Sequence, residues 1–256
     1  MNRYLSAAGL LSAVLLTACD YEKDAVQDIT VPPAASAIKF FNFGPGAPAV
    51  NFYANDQKVT AITSATGAES TNGVTYTNAG NGALYNGLNP GQYTFTARIS
   101  ATTDKDLAIA SVQSTLADGK YYSYYVSGLY NTTAKNADAF IVEDPIPALD
   151  YTAAYVRFVN AISNAQPMTL NITTTTAPAV TIAVGGAVAY KAAGTFTAVP
   201  CGTYNLSTTV AGAATPAITR AGIGFNCGRV YTITSRGNMT VATGTNAPAL
   251  DNTLNR

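Results

Sequence analysis

Histidine and tryptophan are absent from this 256-residue chain, and cysteine occurs three times. Without histidine there is no Ser-His-Asp or Cys-His relay, and no imidazole ligand for a catalytic metal. Charged residues make up 11% of the chain, against the roughly 25% usual in globular domains. Lysine and arginine nowhere gather into a run interleaved with aromatics, so no nucleic-acid partner is expected. No Gly-rich phosphate loop leads into a helix, and no stretch keeps the 3.6-residue apolar period of one. Residues 151–250 contain no Asp or Glu, so that half cannot alone place the two carboxylates of glycoside hydrolysis. These gaps predict no catalytic residues, no cofactor and no metal site. A calcium site built from Asp104, Asp106, Asp118, Asp138, Glu143 and Asp144 is the one metal reading left. The simpler reading makes Asp104-Lys105-Asp106 a polar turn and Glu143-Asp144 part of an interdomain linker.

The amino end is patterned differently from the rest. Arg3 precedes a mostly apolar run, Leu5 to Thr17, and Leu16-Thr17-Ala18-Cys19 follows with small residues leading into a cysteine. The run is shorter than the roughly 20 residues of a membrane span, and the arrangement is that of a cleaved secretory signal. The motif resembles the bacterial lipoprotein signal. That resemblance implies removal of residues 1–18. It implies that Cys19 becomes the mature amino terminus, carrying diacylglycerol and often a further acyl chain such as palmitate. Each buried methylene contributes about 0.8 kcal/mol, so two or three chains anchor stably where one does not. Membrane lipid through Cys19 is therefore the first expected partner, and the expected location is the cell envelope, at the outer membrane.

Residues 19–36 read as a lipidated tether. Asp20-Tyr21-Glu22-Lys23-Asp24, Asp28 and Pro32-Pro33 show neither helical nor strand pattern, and 17 residues reach up to roughly 60 Å when extended. The acidic cluster reads as a solvated spacer. It also resembles the surface-export tag of Bacteroidetes lipoproteins, which would place the protein on the outside of the cell.

Beyond the tether the chain is rich in Thr, Val and Tyr, which favour strands. Its 21 glycines and 12 prolines punctuate it about every ten residues, as in an all-β sandwich or barrel. The chain also repeats itself. Ile38-Lys39-Phe40-Phe41-Asn42 answers to Val156-Arg157-Phe158-Val159-Asn160. Asn89-Pro90-Gly91-Gln92-Tyr93 answers to Pro200-Cys201-Gly202-Thr203-Tyr204, and Gly119-Lys120-Tyr121-Tyr122 to Gly228-Arg229-Val230-Tyr231, in the same order. The fold class expected is all-β, with two tandem immunoglobulin-like β-sandwich domains after the lipoprotein signal peptide. In that fold a tyrosine near the start of a late strand hydrogen-bonds back to the backbone. The expected boundaries are 37–144 for the first sandwich, 145–152 for a linker, 153–245 for the second sandwich and 246–256 for a loose tail.

Within Tyr121–Val126, strand alternation puts Tyr122 and Tyr124 on the core face, with Tyr231 and Ile233 as their counterparts. Tyr121 and Tyr125 take the outer face. With Tyr130 they are the candidate ligand-facing residues, although tyrosines at this spacing also serve as ordinary sheet residues. Cys201 and Cys227 lie at the ends of neighbouring strands and are expected to pair in an oxidising envelope.

Val156-Arg157-Phe158-Val159-Asn160-Ala161, with Ala47-Pro48-Ala49-Val50-Asn51-Phe52-Tyr53 in the first repeat, resembles an uncharacterised bacterial domain of unknown function. Its members open V-R-F-x-[HN]-A, then a Pro-rich turn and a D-V-Y-type strand. Asn51 and Asn171 stand where that strand commonly carries an acidic residue. The resemblance implies a secreted or surface β-sandwich in two copies, and no catalytic residues.

Charge divides unevenly. Residues 20–150 hold 13 acidic and 7 basic residues, whereas residues 151–250 hold five basic ones only. The asymmetry reads either as drift or as complementarity between two docking halves or toward an anionic surface. The function expected is a non-catalytic, lipid-anchored adhesive or structural binding module. The alternative is a glycan-binding lipoprotein serving nutrient capture. The partner is then a glycan or an envelope protein.

Overall fold

The computed structural model describes residues 36–60 and 72–256. The signal peptide, Cys19 and the tether up to residue 35 lie outside the described residues. Seventeen β-strands and no α-helix occur among those described. The first half contains β1 (Ser36–Asn42), β2 (Val50–Ala54), β3 (Gln57–Lys58), β4 (Asn78–Ala79), β5 (Asn86–Leu88), β6 (Gly91–Ile99), β7 (Ala108–Leu116), β8 (Tyr121–Asn131) and β9 (Asn136–Glu143). The second contains β10 (Ala154–Asn160), β11 (Met168–Thr174), β12 (Thr181–Val188), β13 (Thr197–Val199), β14 (Gly202–Val210), β15 (Ile218–Phe225), β16 (Val230–Arg236) and β17 (Ala249–Leu254).

They form four sheets, two in each half. One sheet of the first half has the order β4-β1-β8-β9, with β5 also on β1, and the other is β3-β2-β6-β7. The second half repeats this as β13-β10-β16-β17 and β12-β11-β14-β15. Each opening strand runs parallel to a late one, β1 to β8 and β10 to β16. Even the short β1–β4 pairing, Phe41 with Ala79, has a counterpart in the single bridge Val159 to Ala193. The repeat seen in the residues is thus a repeat of topology.

Alternation along the opening strands explains the packing. Ile38 and Phe40 enter the first core with Phe52, Phe95, Tyr122 and Tyr124. Val156 and Phe158 enter the second with Leu170, Leu206, Tyr231 and Ile233. The core faces expected of Tyr122, Tyr124, Tyr231 and Ile233 are therefore those observed. The tyrosine hydroxyls bond back as expected too. Tyr122 Oη accepts the N–H of Ala117 at 3.0 Å, and Tyr231 Oη that of Asn226 at 3.1 Å. A second pair repeats, with Tyr93 and Tyr204 donating to the carbonyls of Asn89 (2.9 Å) and Pro200 (2.6 Å). Each late strand is entered through a glycine at positive φ, Gly119 (+69°) and Gly228 (+77°), where a Cβ would be strained.

The other face of the opening strands is buried as well. Phe41, Phe43, Tyr125 and Phe140 of the first sandwich form an apolar cluster with Val159 and Ala161 of the second. The two sheets holding the parallel pairs therefore meet at a junction, each covered on both faces. That accounts for the unbroken apolar character of Phe40-Phe41 and Phe158-Val159.

One boundary and one linker reading need correction. Residues 246–256 are not a loose tail, because 249–254 are β17, antiparallel to β16 from Arg236–Ala249 to Tyr231–Leu254. Leu250 is buried in the second core, and Arg236 pairs with Asp251. β17 is the counterpart of β9. The two share no residue pattern, and their strand character comes from pairing rather than from local preference. Asp144, read with Glu143 as part of an interdomain linker, is buried, and Glu143 is the last residue of β9.

Candidate functional site

The junction is built around one basic residue from each opening strand. Lys39 and Arg157 occupy the same place in the repeat, and both point away from their own cores. Arg157 and Asp144 form an ion pair in which both side chains are 0% exposed. The other two nitrogens of Arg157 also donate, Nε to Thr232 Oγ1 at 3.0 Å and Nη1 to the Glu143 carbonyl at 2.9 Å. Its guanidinium lies 4.8 Å from the Phe196 ring centroid. Asp144 Oδ2 accepts from Tyr85 and Ser123 hydroxyls, both at 2.7 Å. Both members of this buried pair thus have further hydrogen-bond partners, as burial of charge requires.

Lys39 Nζ crosses the junction to the Leu254 carbonyl at 2.6 Å and sits 4.2 Å from the Tyr85 ring centroid. Burial pushes its pKa down to about 8; Asp144 pulls it up and Arg157 pushes it further down. Burial, then the Asp144 charge, raises the Tyr85 phenol well above its ordinary range. At the far end of the junction, Asp138 pairs with Lys191 at 2.6 Å and accepts from Tyr190 at 3.0 Å. Two acidic residues of the first half, Asp138 and Asp144, thus meet basic residues of the second, whereas Arg220 and Arg236 face Asp251 of their own half.

Asn42 and Asn160 close the opening strands. Asn42 Nδ2 donates to the carbonyls of Pro48 and Val74, at 3.0 and 2.9 Å. Asn160 Nδ2 donates to the Val188 carbonyl at 3.2 Å, while its Oδ1 accepts from Ile162 N–H and Ser235 Oγ. The two asparagines and Lys39 carried no expected role, and Arg157 only that of one among the five basic residues of 151–250. Their signal was their identity or near-identity across the repeat at a position flanked by core residues.

The three candidate tyrosines are not brought together. Tyr121 is 42% exposed and meets Tyr85 edge to face, centroids 5.0 Å apart. It borders a shallow cleft of about 300 Å³ with Lys120, Glu143, Pro145 and Ile146. Tyr125 is only 1% exposed, stacked between Phe41 at 4.8 Å and Phe140 at 5.0 Å. Burial pushes its phenol up to about 12. Tyr130 packs partly buried against the first core, at the opposite end of β8 from Tyr121. Alternation assigned Tyr121 and Tyr125 to one face correctly. What it could not show is that the second sandwich covers that face beyond its first residue, so Tyr125 cannot face a ligand.

The first-half carboxylates are likewise dispersed. Asp104 pairs with Lys135 at 2.7 Å and Glu143 with Lys120 at 2.8 Å, and Asp106 accepts from Tyr53 at 3.0 Å. Among the described residues no three His, Cys, Asp or Glu side chains converge to hold a metal ion. Cys201 and Cys227 form a disulfide with Cα atoms 5.3 Å apart. Cys201 precedes β14 and Cys227 follows β15, so the bond staples the open end of that hairpin beside the Gly202–Phe225 pair.

One broad surface carries no charge. On the outer face of β11 and β14, Thr169 lies opposite Thr209, Asn171 opposite Ser207 and Thr173 opposite Asn205. Asn171 Nδ2 donates to Thr209 Oγ1 at 3.1 Å, tying neighbouring strands. This face is an array of hydroxyls and amides.

The fold and its junction define an all-β protein of two stacked sandwiches. The chain belongs to the family described as Domain of unknown function (DUF4397), which matches residues 36–171. The match starts at β1 and ends inside β11, so it spans the first sandwich and the opening of the second. Among solved structures, one from Bacteroides eggerthii DSM 20697, described as a "putative cell adhesion protein", aligns over 88% of this chain and 97% of its own. Identity is 12% and the TM-score 0.22, too low to transfer anything to this chain. No curated protein matches the sequence significantly.

Proposed function

We propose that this protein is a lipid-anchored, non-catalytic binding module of the cell envelope, held at the outer membrane through acylated Cys19 and facing outward. Its two sandwiches are immunoglobulin-like copies of one family unit, and it serves adhesion or envelope structure. The observation that carries this reading is the use of its charged groups. Asp104, Asp138, Glu143 and Asp144 each pair with a cation, and the deepest pair locks one sandwich on the other. A chain organised this way presents rigid sheet faces rather than a reactive cleft. The back-bonding of Tyr122 and Tyr231 is of the immunoglobulin-like kind, while the parallel β1–β8 and β10–β16 pairs depart from the antiparallel sheets of that fold.

The alternative, glycan capture for nutrition, is favoured by the charge-free array on β11 and β14, where hydroxyl and amide groups could meet sugar hydroxyls. It loses the three-tyrosine platform. The anchor is tested by fractionation: wild-type protein is expected in the membrane pellet with an acylated amino-terminal cysteine by mass spectrometry. Cys19→Ser is expected to leave the chain unacylated and uncleaved at that site. An unmodified Cys19 in membrane-derived protein would refute the anchor.

A further inference from the structure

One end of the folded unit gathers most of the chain's entries. β1 begins there, with Ser36 opposite Leu88 and the Ala37 N–H on the Lys120 carbonyl at 3.0 Å. β8 begins beside it, and β9 ends there with Glu143 opposite Tyr122. In the second sandwich β10 and β16 begin at the same end, joined by the Tyr155 N–H to the Arg229 carbonyl at 2.9 Å. β17 finishes there, with Leu254 opposite Tyr231. The Lys39–Leu254 and Arg157–Asp144 contacts hold the two sets of strand ends side by side.

Eight large apolar side chains are exposed among the described residues, and five of them lie at this end: Tyr121 (42%), Leu149 (51%), Tyr151 (76%), Leu254 (47%) and, between β11 and β12, Val180 (52%). Among the described residues none of the sheets covers them. This is also the end at which the segment from Cys19 enters the fold, at Ser36. Tyrosine and leucine at the rim of a tethered domain have the character of side chains that settle in the headgroup region of a bilayer, where a phenol keeps its hydroxyl wet and its ring dry.

We infer that this end is a membrane-contacting surface: Tyr121, Leu149, Tyr151 and Leu254 rest in the headgroup layer of the bilayer that holds the lipid. The inference rests on the anchor proposed at Cys19. A tether of this length permits the domain to stand well clear of the membrane, so the contact is a property of the folded end and not of the tether. It would orient the long strands away from the membrane and leave the opposite end, with Leu129, facing outward.

The absence of tryptophan makes a direct test available. Tyr151→Trp and, separately, Leu129→Trp each give the full-length acylated protein a single indole. Each variant is reconstituted into phosphatidylcholine–phosphatidylethanolamine vesicles with and without brominated acyl chains, and flotation is measured alongside fluorescence. Bromine is expected to quench the Tyr151→Trp variant at least about twofold and to leave the Leu129→Trp variant unaffected, as for one side chain at the interface and one in water. Leu149→Trp reads the same surface should Tyr151→Trp fold poorly. Flotation without quenching at position 151 or 149 would overturn the inference and leave the anchor standing. Blue-shifted emission without quenching from the Tyr151→Trp variant would show an indole surrounded by protein and not lipid, and also overturns it. Failure to float would remove the anchor and the inference together.

Discussion

Asp144→Ala is expected to lower the stability of the folded unit by about 3–5 kcal/mol, the cost of leaving one member of a buried ion pair without its partner. The substitution removes the carboxylate that answers Arg157, and it strips Tyr85 and Ser123 of their acceptor. Arg157 has no route to water, because its side chain is fully buried against Thr232 and Phe196. Adding Arg157→Met in the same chain is expected to recover part of that loss, because it removes the stranded charge but leaves the Tyr85 and Ser123 hydroxyls without their acceptor. Urea unfolding of the two single variants and the double variant measures this coupling directly. A loss below about 1 kcal/mol for Asp144→Ala, the level of an exposed pair, would mean that the sandwiches are not docked through this contact.

The disulfide carries the second large effect. Cys201 and Cys227 are 26 residues apart, and closing a loop of that length restricts the unfolded chain by about 3–4 kcal/mol. Cys201→Ala with Cys227→Ala is expected to lose about 3 kcal/mol, or roughly 6–12 °C in melting temperature for a unit of this size. Reductant should destabilise wild type by a similar amount and leave the double variant unchanged. The local loss belongs to the open end of the β14–β15 hairpin, where amide exchange should accelerate most. An unchanged melting temperature in the double variant would show that the bridge is not formed in the protein.

Local pattern made much of this structure legible. Period-two alternation placed Tyr122, Tyr124, Tyr231 and Ile233 in their cores. Internal repetition gave the two-sandwich plan and the turns before β6, β8, β14 and β16. The strand-end position of two lone cysteines gave their pairing. The misreadings share one cause, contact between elements far apart in sequence. Tyr125 looked solvent-facing because only its own strand was in view, and the second sandwich covers it. Asp144 looked like part of a polar linker because its partner Arg157 lies across the junction. β17 looked loose because it lies at the end of the chain, and its order is conferred by pairing with β16. A basic residue set between core residues, at Lys39 and again at Arg157, was the available sign of a second buried face.

The proposed outward orientation of a module anchored through Cys19 is tested most directly by protease treatment of intact cells, with lysed cells as the control. Cleavage within residues 20–35 is expected on intact cells, releasing a fragment that carries the folded unit and resists further digestion. Complete protection in intact cells, with cleavage appearing only after lysis, would contradict the outward orientation and make the acidic cluster after Cys19 a spacer within the periplasm.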